Sequence, residues 1–246
     1  MSLPVHLVPS LDGVAPGSTV AVTGDEAHHA VAVRRLRAGE QVVLTDGVGA
    51  AATGAVVSTG KRVFEVAVDD VRHEPRPEPE LVVVQALPKG DRGERAVEVL
   101  TEIGVDTVVP WAASRSVAVW RGERAARSLA KWRATAREAA KQARRTWHPQ
   151  VAPLASTADA ADLVADADLA LVLHEDATTT LSTVEVPATG TVVLVVGPEG
   201  GLTDEEVTGF VDAGATPVRL GAEVLRTSTA GLAAAAALLV RTPRWG

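Results

Sequence analysis

The sequence predicts an α/β protein in two parts, a small β-barrel followed by a parallel sheet with helices on both faces. Three observations carry this. Beyond residue 80, five apolar runs of strand length (81–87, 105–110, 169–174, 191–196 and 216–220) are separated by helical segments. Unbroken apolar runs of that length belong to strands buried on both sides. Before residue 73, short Val-rich runs (19–23, 41–45, 55–58 and 62–68) alternate with glycine turns such as Asp46-Gly47 and Thr59-Gly60, around one helical insert at 27–36. Between the two parts, Pro75, Pro77 and Pro79 block helix and sheet pairing and favour a stiff, extended linker. Domains are therefore expected at 1–73 and 80–246.

The bulk composition narrows the function classes. The 246 residues are 46% hydrophobic but include only two Phe and no Tyr, so the core is built from Ala and Val. Such a core favours close backbone packing over large ring-lined pockets. The absence of cysteine excludes disulfides, thiolate metal sites and a Cys nucleophile. No apolar stretch reaches the 18 residues of a membrane span, and no secretory signal pattern opens the chain. A cytoplasmic protein without membrane contact is expected. His28 and His29 lack a third ligand at useful spacing, so no metal is expected either.

The net charge of −7 argues against a polyanion partner, but its distribution reverses the argument. Between Arg115 and Arg145 ten basic residues face only Glu123 and Glu138. A helix is expected over 122–147, with Leu129, Trp132, Ala136, Ala139 or Ala140, Ala143 and Trp147 as its buried stripe. Arg133, Arg137, Lys141 and Arg145 form a four-residue row on another face. Like charges at that spacing destabilise a helix by a few tenths of a kcal/mol per pair, and phosphates would relieve the repulsion. In the first part, Arg34, Arg35 and Arg37 end a short helix; they suit phosphate or the helix dipole, and the sequence does not separate the two.

Two strand ends carry the chemistry. The run 192–196 stops at Gly197-Pro198-Glu199-Gly200-Gly201, three glycines in five positions that let a backbone approach a ligand closely. The same stretch also reads as a tight turn before a helix, because Thr203 and Glu206 have the spacing of a capping box. The next strand ends at Leu220-Gly221, and an irregular segment leads through Arg226 to a helix capped by Thr227 or Ser228. That helix is apolar all round, so burial on every side is expected, under the sheet or at a subunit interface. Arg226 is then either a structural ion-pair partner or a side chain projecting into the crevice between the two loops.

Together these residues resemble the RsmE family of ribosomal RNA methyltransferases within the SPOUT, trefoil-knot superfamily. Val196-Gly197-Pro198-Glu199-Gly200-Gly201-Leu202-Thr203 followed by Glu206 is similar to that family's glycine signature, and Leu220-Gly221 with Val224-Leu225-Arg226-Thr227-x-Thr229-Ala230 to its second signature. Lys89-Gly90-Asp91-Arg92, Glu102-Ile103-Gly104-Val105, Ser114-Arg115-Ser116 and the segment from Glu138 to Pro149 resemble its intermediate motifs. His28-His29-x-x-x-Val33-Arg34-Arg35-Leu36-Arg37 with Asp46-Gly47-x-Gly49 is similar to its PUA-like RNA-binding barrel. The chain departs from the family at Glu223, where a basic residue is usual, and at Ser228, where an acid is usual; an exchanged charge pair is one reading. Lys141 replaces a usual acid.

The resemblance implies a C-terminal trefoil-knotted methyltransferase domain, S-adenosylmethionine held by three strand-end loops, and a homodimer with that site near its interface. Cofactor contact would fall on Leu173 or His174, on Gly197, Glu199, Gly200 and Gly201, and on Leu220, Gly221, Leu225, Arg226 and Thr227. The implied reaction methylates N3 of a uridine in small-subunit ribosomal RNA, whose base must be unstacked to enter. An arginine would stabilise the imide anion, Arg226 first and Arg115 second. Glu199 would be the base or a brace for its loop, the brace being favoured. RNA would be met by Arg34, Arg35, Arg37, Lys89, Arg92, Arg133, Arg137, Lys141 and Arg145. A dinucleotide oxidoreductase is disfavoured, since neither glycine cluster has the G-x-G-x-x-G form. A non-catalytic ribosome assembly factor with a decayed site is the remaining alternative.

Overall fold

A computed structural model describes residues 3–245, so the outermost ends of both expected domain ranges lie outside the described residues. The chain forms two compact units. One comprises the residues up to Arg76 together with Lys141–His148; the other comprises Pro77–Ala140 and the chain from Pro149 onward.

The first unit is a curled five-stranded sheet. Its strands are β1 (Val5–Leu7), β2 (Thr19–Thr23), β3 (Gln41–Thr45), β4 (Ala50–Thr59) and β5 (Val63–His73), in the order β1-β3-β4-β5-β2. Only β1 with β3 is a parallel pair. The three-residue β1 was not expected; it is too short to show a period. Along β5, the buried Phe64, Val66 and Val68 alternate with the more exposed Val63, Glu65 and Ala67, as in a sheet with one covered face. The buried three pack with Val22, Leu44 and Val56 into one core. The helical insert is a single turn, α1 (Gly24–His28), followed by a π-helical turn at His29–Val33.

The second unit is built on a fully parallel seven-stranded sheet. The chain runs β6 (Glu80–Ala86), α2 (Arg92–Ile103), β7 (Thr107–Trp111), α3 (Gly122–Gln142), β8 (Gln150–Val151), α4 (Thr157–Ala165) and β9 (Leu169–Leu173). It continues through β10 (Thr179–Thr180), β11 (Thr191–Val196), α5 (Asp204–Asp212), β12 (Thr216–Arg219) and α6 (Thr227–Leu239). The strand order is β10-β12-β9-β11-β6-β7-β8, so β11 inserts between two strands formed earlier in the chain. Successive residues of β6 and β11 point to opposite faces and both faces are covered. Leu81, Val83, Val192, Leu194 and Val196 pack on the face of α2 and α6 with Leu100 and Leu238. Val82, Val84, Val193 and Val195 pack on the other with Trp111 and Phe210. The rings of Trp111 and Phe210 meet edge to face at 5.3 Å. Among the described residues no helix is long and apolar enough to cross a membrane.

One expectation is corrected. The long helix does not run to Trp147: α3 ends at Gln142, and Arg144 turns left-handed with φ 56°. Ala143 is consequently exposed instead of continuing the buried stripe. The segment 141–148, which lies within the expected range 80–246, packs in the first unit. Gly49 N donates to Thr146 O at 3.0 Å, and His148 N donates to Gly47 O at 2.9 Å. The Trp147 indole donates to Glu74 O at 2.9 Å. On α6, Gly231, Ala234, Ala235, Leu238 and Leu239 are buried, while Ala237 and, just past the helix end, Val240 are exposed; of the two expected coverings, the sheet takes one side and leaves an apolar stripe facing outward.

Candidate active site

Because the strands of the second unit are parallel, their carboxyl ends share one edge, where open α/β sheets bind ligands. In β9 and β11, Val172 lies opposite Val195; in β9 and β12, Leu173 lies opposite Val218. The register therefore brings Leu173 and His174, the turn from Gly197, and Leu220 with Gly221 to the same end of three neighbouring strands. His174 N donates to Val218 O at 3.0 Å, and its Nδ1 accepts from Asp176 N at 3.2 Å. That acceptor role places the ring proton of a neutral His174 on Nε2. Gln85, at the end of β6, lies opposite Val196, the residue before the glycine turn.

The glycine turn is held from three sides. Gly201 N donates to Pro198 O at 3.0 Å, and Gly201 has φ 71°, in the left-handed region. A Cβ on Gly200 would sit 3.1 Å from the Arg115 Cβ and 3.3 Å from its carbonyl oxygen, so glycine allows this close approach without displacing Arg115. The Arg115 guanidinium donates to Leu202 O at 2.9 Å and to Gly200 O at 3.3 Å. Thr203 caps α5 in a capping box with Glu206, as its spacing suggested. Glu206 also does something its local sequence did not reveal: buried, it accepts from Ser114 N at 2.7 Å and so ties the loop after β7 to the start of α5.

Glu199 accepts from Lys89 N at 3.1 Å and from the Arg92 guanidinium at 3.0 Å. Partial burial alone would raise its pKa, but backbone N–H bonds, including that of Lys89, and the Arg92 charge outweigh it and hold the carboxyl below the usual range. A carboxylate so stabilised is a weak proton acceptor and a good strut.

Arg226 is the backbone N-cap of α6, with neither Thr227 nor Ser228 capping by its side chain. Both of those residues are buried, and it is the Thr229 hydroxyl that donates to Arg226 O, at 3.2 Å. The Arg226 side chain is exposed and unpaired among the described residues, as are Leu225 and Gly221 in their exposure, while Leu220 is half-buried. The suggested exchange of a charge pair is not found: Glu223 is exposed with no ion pair among the described residues, and Ser228 lies under the helix start.

The basic row breaks up. Lys141 is buried and paired with Glu26 at 2.9 Å, in the first unit. Arg145 lies beyond the end of α3 and donates from Nε to Trp147 O at 2.8 Å. Arg133 and Arg137 remain exposed on α3, although Arg133 also donates to Val151 O at 3.0 Å. Arg92 is committed to Glu199, whereas Lys89 is exposed. Arg34, Arg35 and Arg37 are all exposed after the π-helical turn, around the buried Leu36. One residue of this edge, Gln85, escaped sequence reasoning, because a single amide inside an apolar run reads as core strand.

Residues 75–239 match the RNA methyltransferase domain, and residues 22–69 match the RNA methyltransferase PUA domain. The chain is 44% identical over 233 residues to ribosomal RNA small subunit methyltransferase E of Mycobacterium bovis, covering 93% of this chain and 89% of that protein. It is 31% identical over 232 residues to the protein of the same name from Bacillus subtilis, covering 91% of each. The crystal structure of a ribosomal RNA small subunit methyltransferase E from Neisseria gonorrhoeae bound to S-adenosyl methionine superposes with a TM-score of 0.86 at 28% identity, over 97% of this chain and 98% of that one.

Proposed function

We propose that this chain, which belongs to the RNA methyltransferase family of ribosomal RNA small subunit methyltransferase E, transfers a methyl group from S-adenosylmethionine to N3 of a uridine in small-subunit ribosomal RNA. Its second unit has the trefoil-knotted parallel-sheet SPOUT fold, and its first is PUA-like. The observation that carries the reading is that three strand-end loops share one edge, the last of them bearing the exposed Arg226, whose side chain is unpaired among the described residues.

The residues fit the cofactor. Gly197, Gly200 and Gly201 keep side chains out of the turn, Leu173, His174, Leu220 and Gly221 lie at neighbouring strand ends, and Leu225 and Thr227 follow in the segment that leads into α6. When bound, S-adenosylmethionine supplies an electrophilic methyl group on a sulfonium. The protein's part is to hold the base in line and to stabilise the imide anion left when N3 loses its proton. Arg226 is suited to that charge because nothing else engages it. Arg115 and Glu199 are positioning residues in this reading: Arg115 donates to carbonyls of the turn, and Glu199 ties the turn to Lys89 and Arg92.

The two units divide the work. The first, with Arg34, Arg35 and Arg37, holds RNA, joined by Lys89, Arg133 and Arg137 on the second. The outward apolar stripe of α6 pairs two copies into a homodimer, and the enzyme works in the cytoplasm, with its ribosomal substrate. Primer extension across ribosomal RNA from a strain lacking the gene, with and without this chain, tests the reaction. A stop restored at one uridine, with N3-methyluridine in its nucleoside digest, is expected because that methyl blocks pairing. An unmodified digest would overturn the assignment.

A further inference from the structure

The geometry points to Gln85 as a cofactor-binding residue that reads the 6-amino group of the adenine, an inference that rests on the S-adenosylmethionine reading above. Gln85 is fully buried at the carboxyl end of β6, on the face that carries Val83. Its neighbour across the ladder, Val196, precedes the glycine turn. Its side-chain nitrogen donates to Ala86 O at 3.1 Å and to Thr227 O at 3.4 Å. Thr227 follows Arg226, so this amide lies between the two signature loops.

Those two acceptors fix which way round the amide sits, since only an NH2 can face two carbonyls. The oxygen then points along the other arm, and it has no hydrogen-bond partner among the described residues. Buried side-chain oxygens are rarely left so, and an unmet one costs as much as a lost hydrogen bond. The donor it lacks must be neutral. On this face Val83 and Val196 are fully buried aliphatic neighbours, and among the described residues no buried carboxylate belongs to this cluster, so an ammonium would be stripped of water without a counter-charge. A flat ring with one amino edge suits aliphatic walls and a single acceptor. Of the groups on the cofactor, adenine has that form. Gln85 thus couples two tasks in one side chain, anchoring the first residue of α6 and selecting adenine.

Calorimetry with two non-reacting ligands tests this. S-adenosylhomocysteine carries the 6-amino group; S-inosylhomocysteine has a carbonyl there instead. The wild-type protein should bind the adenosyl ligand at least about tenfold more tightly, the discrimination expected when a buried acceptor loses its donor. Gln85→Met, similar in length and apolar, should lose about tenfold for the adenosyl ligand and little for the inosyl one, so that the preference collapses. A Gln85→Met protein that keeps the wild-type preference would overturn the assignment. Equal affinities of the wild-type protein for both ligands would overturn it as well, and that arm needs no variant to fold. Wild-type protein that binds neither ligand would instead overturn the cofactor reading beneath it.

Discussion

Arg244 closes on Asp106 in a two-pronged ion pair, with N–O distances of 2.6 and 3.3 Å. The same guanidinium donates to Pro79 O at 3.0 Å and to Gly104 O at 2.6 Å. Asp106 in turn accepts from Leu81 N at 2.9 Å. One buried charge pair therefore gathers the segment after α6, the entry to β6 and the turn before β7. It lies at the amino ends of the strands, away from the candidate site.

With side chains only 10% and 6% exposed, removing one partner strands the other charge in a poorly solvated place. Arg244→Ala is expected to cost about 3–5 kcal/mol in denaturant unfolding of the whole chain. A loss under about 1 kcal/mol would show that the pair is not needed to hold the C-terminal segment. S-adenosylmethionine affinity of the folded variant should stay within about twofold, since none of these atoms lies at the strand-end loops.

The parallel sheet was legible in the sequence because its strands are buried on both faces and so read as unbroken apolar runs. The capping box of Thr203 and Glu206 was legible because it is local. What was not legible depends on tertiary partners. Asp46-Gly47-x-Gly49 read as a turn, but Gly49 is there for Trp147: it has φ 108°, and a Cβ on it would fall 2.7 Å from the indole. Nothing within ten residues of Gly49 announces that neighbour. The same holds for the buried Lys141, whose place in a periodic basic row hid an ion-pair partner contributed by α1.

That partner gives a pH dependence. Burial by itself would raise the Glu26 pKa, but hydrogen bonds and charge from His6 and Lys141 outweigh it and lower the pKa from 4.5 to about 2. A carboxyl depressed in the folded state stabilises the protein above its unfolded pKa, and that stability is lost as pH falls through the interval down to the folded value. The window is thus about pH 4.5 to 2. After discounting for partial solvent screening, the loss is about 2 kcal/mol. The stability of the wild-type chain should fall as pH is lowered over that interval, and Glu26→Gln should flatten the curve while lowering stability near neutrality. An identical acid profile in the variant would refute this role.

Arg226→Ala separates chemistry from binding. If the guanidinium stabilises the imide anion, methyl transfer falls by about 10²–10³-fold. Cofactor affinity should change by less than about threefold, measured by calorimetry. Glu199→Gln behaves differently, because it loosens a strut instead of removing a charge at the base: the KM for S-adenosylmethionine rises, and kcat falls less. As Glu199 is held below the usual carboxylate range, its titration should leave no inflection in the rate profile between pH 6 and 9. A strict loss of cofactor binding in Arg226→Ala would move this residue from catalysis to binding.

Salt dependence tests the proposal that the exposed arginines meet phosphate and the buried lysine does not. Each phosphate neutralised on single-stranded RNA contributes about 0.7 to the slope of log K against log salt. Replacing Arg34, Arg35 and Arg37, all exposed, by Gln should flatten the slope by up to about 2. Arg137→Gln should flatten it by less than about 1. Lys141→Gln should leave it unchanged, because that ammonium is buried against Glu26; the change should appear in stability instead. The outcome that would reverse this account is a Lys141→Gln protein with wild-type unfolding and a flattened salt slope, since only an ammonium reaching the RNA could produce it.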